Sequence, residues 1–84
     1  MSILKLNIKS AFGDFTGDLT AEAMSDEDCR ESRDKLQSNW LGLRYLVIYP
    51  ERGNPQQELL IPAHILEQSV CLFSIENPPN FKKK

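Results

Sequence analysis

His64 is the only histidine in the chain, so it is the first residue to test for acid–base chemistry. A general base needs a group that orients it and a nucleophile or water within reach. His64 follows Pro62-Ala63 and precedes Ile65-Leu66, with no serine-elbow or papain-type cysteine motif to go with it. The setting predicts a turn or surface histidine at the exit of a hairpin. Cys29 and Cys71 are the two thiols, 42 residues apart, a separation that fits no metal-ligand spacing. Small secreted scaffolds usually carry four or more cysteines. Two ordinary free thiols and a reducing, cytoplasmic setting are therefore expected.

Metal and cofactor chemistry find no better footing. One histidine and two distant cysteines do not make a closed zinc site. Asp26-Glu27-Asp28 has the charge of a calcium loop but lacks that loop's glycine and terminal glutamate. Acids at the start of a helix answer to the helix dipole without any metal. Gly13-Asp14-Phe15-Thr16-Gly17 has two glycines but no following Lys-Ser or Lys-Thr, so it reads as turn chemistry rather than a phosphate cradle. No catalytic, metal-binding or cofactor-binding residue is expected, and the chain does not read as an enzyme.

Binding is the remaining class. Tyr45, Tyr49 and Phe73 lie on strand patterns where rings could stack bases, but the aromatic signature of an RNA-recognition motif is missing and core packing is the simpler expectation. Charge is distributed less evenly. Residues 14–34 carry eight acids against Arg30 and Arg33, a net of −6; the remaining residues carry eight bases and four acids, a net of +4. An acidic segment on a mildly basic body attracts basic partners and repels nucleic acid. The leading expectation is a small non-enzymatic binding, regulatory or inhibitory protein that meets a basic protein surface. Asp26, Glu27, Asp28 and Glu31 would supply the contacts, and Trp40, if exposed, the apolar anchor. The alternative is a small nucleic-acid-binding or transcription-regulatory domain using Lys5, Lys9, Arg44, Arg52 and the Lys82-Lys83-Lys84 tail.

These residues need elements to hold them. Residues 3–9 alternate, with Leu4, Leu6 and Ile8 on one face and Lys5, Asn7 and Lys9 on the other, which predicts a half-buried strand. Residues 10–19 read as a turn or a short irregular second strand, with Phe12 and Phe15 folded inward. Residues 20–41 are the one main helix candidate, capped at Thr20 or at Ser25, with Cys29, Leu36 and Trp40 on its buried stripe and Gly42 at its end. Leu43 to Tyr49 is apolar on nearly both faces and predicts a central strand covered on both sides. The Pro50–Pro55 segment is a turn, Glu58 to Ile61 completes a hairpin, residues 63–68 form a helical turn, and residues 70–76 are the last strand.

The expected architecture is α+β: a small, mostly antiparallel sheet of four to five strands with one main helix packed on one face. Residues 1–78 would form one domain and residues 79–84 a short basic tail. No window is apolar for the roughly 20 residues a membrane span requires, nor is there a signal-peptide pattern. A domain of this size gains from association. A homodimer or other homo-oligomer is expected, through Val70, Leu72 and Phe73 or through the hairpin face of Tyr45 and Tyr49, with residues 3–9 as an edge blunted by Lys5 and Lys9.

Overall fold

The computed structural model describes residues 1–78; the tail expected over residues 79–84 lies outside them. Strand β1 (Ile3–Ser10) turns at Ala11-Phe12 into β2 (Gly13–Asp18). The turn is tied by the Ser10 hydroxyl, which donates to the Gly13 carbonyl at 2.7 Å and accepts from the Phe12 amide at 3.1 Å. Helix α1 (Asp26–Asn39) follows and runs into a 3-10 turn, Trp40–Gly42. Then come β3 (Tyr45–Ile48), β4 (Leu59–Pro62), the short α2 (Ala63–Leu66) and β5 (Ser69–Glu76). Every strand pairing is antiparallel.

Of the two helix starts, Ser25 is the one used. Its hydroxyl accepts from the Asp28 amide at 3.0 Å, which satisfies one of the donors left over at a helix start. Cys29 is the residue of α1 that is fully buried. Leu36 and Trp40 pack partly against the same core.

That core consists of Leu4, Leu6, Ile8, Cys29, Leu46, Ile48, Ile61 and Leu66. Each fully buried aliphatic side chain contributes roughly 1.5–3 kcal/mol relative to exposure. β1 therefore supplies three of the largest contributions through its alternating positions, and α1 lies over β1 and β5 on that face.

The strands form two sheets, one of three strands in the order β2-β1-β5 and one of two strands, β3-β4. This corrects the expectation of a single sheet. Residues 43–49 are not the central strand: in β3 the side chains alternate, with Tyr45 exposed and Leu46 and Ile48 buried. The central strand is β1, paired on both sides. Lys5 and Lys9 therefore do not guard an edge; they project from the outer face of the three-stranded sheet. Residues 13–18 are a regular strand, and Phe12, at the hairpin tip, is 55% exposed instead of folded inward.

The two sheets share this core, and backbone hydrogen bonds join them at one place. Asp18 and Tyr49 exchange backbone hydrogen bonds of 2.9 and 2.8 Å, joining the end of β2 to the end of β3. The approach is close because residue 17 has no side chain. A Cβ there would stand 2.8 Å from the Tyr49 carbonyl oxygen and 3.0 Å from Cδ1 of Ile48. The first distance is a clash with backbone, which does not swing aside. Gly17→Ala is expected to destabilise the fold by about 1–3 kcal/mol through this overpacking. Gly42→Ala, where a Cβ meets nothing within 4 Å, should change stability by less than about 0.5 kcal/mol. Urea denaturation of the two variants beside the wild type measures the contrast.

Candidate functional site

The acids expected to make contacts are placed unequally. Asp26 opens α1, and its carboxylate accepts from the Ser2 hydroxyl and from Nδ2 of Asn77 at 3.3 Å. The Asn77 amide also donates to Ser2 Oγ. Three parts of the chain meet here: the residue before β1, the helix start and the residue after β5. The hydrogen bonds from Ser2 and then Asn77 hold the Asp26 carboxyl below the ordinary aspartate range. Asp26 thus has internal work, although its surface is exposed.

Glu27, Asp28 and Glu31 are exposed, and no ion pair among the described residues involves them. Glu27, Glu31 and Asp34 follow each other at spacings of four and three along α1, which sets them in one ridge. Asp34 takes the neighbouring Arg33 at 3.3 Å. Asp18, from the same acidic stretch of sequence, is buried in the joint between the sheets. Its two oxygens accept from Nε and Nη2 of Arg52 at 2.9 and 3.0 Å. Arg52 also reaches Glu76 at 2.8 Å, and Lys5 stands 4.0 Å from that carboxylate. The carboxylate of Asp18, followed by that of Glu76, pushes the Arg52 guanidinium to a higher pKa.

Trp40 is not an open anchor. Its indole N–H donates to the Leu66 carbonyl at 3.1 Å, and its ring meets Phe73 edge-on at 6.0 Å. Buried or half-buried indole N–H groups normally find such a partner. The residue after it, Leu41, is 79% exposed. The exposed side of Trp40 lines a shallow groove of about 300 Å³ with Gln37, Ser69, Val70, Cys71 and Phe73.

Of the basic residues of the nucleic-acid alternative, Lys5 and Arg52 meet at the Glu76 carboxylate, and Arg44 lies apart from them. Arg52 and Lys5 are turned toward carboxylates, and Lys9 sits across from Asp14 in the register of β1 and β2. Arg44 lies before β3 at the far side of the hairpin, where its carbonyl accepts from Ala63. The lysines 82–84 lie outside the described residues.

The groups with chemical potential are spread apart as well. His64 is exposed, its ring 6.2 Å from that of Phe12, and no hydrogen bond among the described residues involves its imidazole. Burial pushes the Cys29 thiol up, helped by Asp26 and Asp28, and burial pushes Cys71 to about 11. Both thiols are therefore protonated at neutral pH, the form that is a poor nucleophile. No cluster of three or more His, Cys, Asp or Glu side chains among the described residues is arranged to hold a metal ion. Among them, too, no helix is long and apolar enough to cross a membrane.

Residue typing alone missed the Ser2–Asp26–Asn77 and Asp18–Arg52–Glu76 clusters. In sequence their members are separated by up to 75 and 58 positions, and nothing local marks them.

Because the Asp26 carboxyl is depressed by hydrogen bonds that exist only in the folded state, it stabilises the fold above its ordinary titration range. That contribution is lost as pH falls through the lowered value. Ser2→Ala should move the Asp26 carboxyl back up toward the ordinary aspartate value in an NMR titration. An unchanged titration curve would show that the Ser2 hydroxyl is not the cause. No protein-family model, no curated protein and no solved structure matches this chain.

Proposed function

We propose that this chain is a small non-enzymatic protein-binding domain whose acidic helix ridge meets a basic surface on a partner protein. One observation carries the reading. Two of the acids in residues 14–34, Asp18 and Asp26, are taken up by internal contacts, whereas Glu27, Asp28 and Glu31 stand exposed with no ion pair among the described residues.

The ridge has a local cost that folding does not require. Like charges four apart on a helix, as at Glu27 and Glu31, disfavour it by about 0.2–0.5 kcal/mol. Glu27 recovers part of that from the helix dipole, and Glu31 from Lys35, four residues further along the helix.

An acidic ridge sets the association rate and the choice of partner more than the affinity. Affinity requires an apolar contact as well, and Leu41 at the end of the helix offers one. The engagement of Lys5 and Arg52 with carboxylates favours this reading over nucleic-acid binding. With both thiols protonated and His64 isolated, it also favours binding over catalysis.

The test is capture from extracts of the source cell, followed by kinetics on whatever protein is retained. The double variant Glu27→Lys with Glu31→Lys should associate with that partner at least tenfold more slowly at low salt, and the gap should narrow as salt rises. Equal association rates for variant and wild type would remove the ridge from the interface.

A further inference from the structure

Strand β5 is paired on one side only. From Ser69 to Glu76 it follows β1 in unbroken register, and no backbone hydrogen bond of the described residues engages its other edge. Exposed edges of this length are normally blunted by proline, lysine, a bulge or an overlying segment. Residues 69–76 contain no proline and no lysine, and the register shows no bulge. From Ser69 to Ile75 the strand carries no aspartate, glutamate, lysine or arginine. Its outward side chains Val70 and Leu72 are 69% and 61% exposed. The groove between this edge and α1 is lined by Gln37, Trp40, Ser69, Val70, Cys71 and Phe73, again without a charge.

We infer that β5 is the interface for a second copy of this chain, paired antiparallel across a two-fold axis so that two three-stranded sheets become one of six strands. Two features select a second copy over an unrelated extended peptide. The first is charge. Under a two-fold axis the same strip faces itself, so any charge on it would meet its like; this strip has none, in a chain of which 26% of residues are charged. The second is the position of the helix. α1 packs against both β1 and β5, on the face that the joined sheet would share. Pairing β5 with its copy at a spacing of about 4.8 Å then brings the two α1 helices to the same face of the joined sheet, one beside the other. A lone peptide strand would satisfy the edge but leave that flank of α1 open.

Glu27 and Glu31 are exposed and do not line the groove beside β5, so the pairing stands apart from the acidic ridge and does not depend on it. Val70 and Leu72 of each copy would form a shared apolar strip on the outer face of the joined sheet.

Sedimentation of the full chain between about 1 and 100 μM, with hydrogen exchange of β5 at both ends of that range, tests this. The expected mass at the upper end is twice that of a 9.6 kDa protomer. Alternate β5 amides, those pointing away from β1, should slow at least tenfold in exchange as the dimer forms. Val70→Lys with Leu72→Lys changes only exposed side chains and should retain the fold by circular dichroism while weakening association at least tenfold. A monomer at 100 μM overturns the inference. So does a dimer that the lysine variant leaves intact, or one in which β5 amides exchange independently of concentration.

Discussion

Two small sheets share one core and close on each other through the backbone at a single point, and the fold depends on that closure. Neither sheet could stand alone: a two-stranded hairpin is at best marginal in water, and the three-stranded sheet needs its inner face covered. What joins them is the pair of backbone hydrogen bonds between Asp18 and Tyr49, made possible by the absent side chain at Gly17. Around that joint the Asp18 carboxylate, buried, grips Arg52 from the β3–β4 loop with two hydrogen bonds. A paired buried charge is weak evidence for net stability, since desolvation offsets much of the attraction. Its value here lies in specifying geometry. The fork of Arg52 fits one orientation of the loop, and Glu76 at the end of β5 receives the remaining side of the guanidinium. Three elements are thereby held in one arrangement.

The second fastening is at the opposite end of the acidic segment. Ser2, Asp26 and Asn77 tie the start of β1, the start of α1 and the residue after β5 to one another. Between Asp18 and Asp26 the chain must leave the sheet and enter the helix, and both of its ends are thus pinned by an aspartate. That division of labour explains the local concentration of acid better than a uniform binding face does. Part of it is structural, and the part left over at Glu27, Asp28 and Glu31 is what the proposed function uses.

Local features were legible in the sequence and non-local ones were not. The alternation of Leu4, Leu6 and Ile8 with Lys5, Asn7 and Lys9 identified β1, because period two leaves a direct mark on composition. Ser25 three residues before Asp28 marked one of the two possible caps, Thr20 being the other, for the same reason: the hydrogen bond spans three residues. The turn formers from Pro50 to Pro55 placed the β3–β4 hairpin. The division into two sheets left no such mark. It follows from a glycine in β2 meeting a carbonyl 32 residues away, and Gly17 read as turn chemistry when judged by its neighbours. Apolar residues on both faces of Leu43–Tyr49 suggested a central strand. In the structure one of those faces is largely open, and small domains leave such residues in water often enough that the pattern misleads. Trp40 is half-buried because its hydrogen bond to Leu66 depends on α2 lying beneath it, which no spacing within α1 reveals.

If the closure at Gly17 and Asp18 makes the two sheets one cooperative unit, the amides of Asp18 and Tyr49 open only when the whole domain unfolds. Native-state hydrogen exchange resolved by residue, across a denaturant series below the unfolding midpoint, measures this directly. The account predicts that these two amides share the opening free energy and the denaturant dependence of Leu6 and Ile8 in β1. Exchange of Tyr49 through a smaller, denaturant-insensitive opening, with the β1 amides still protected, would contradict it and show that the hairpin detaches on its own.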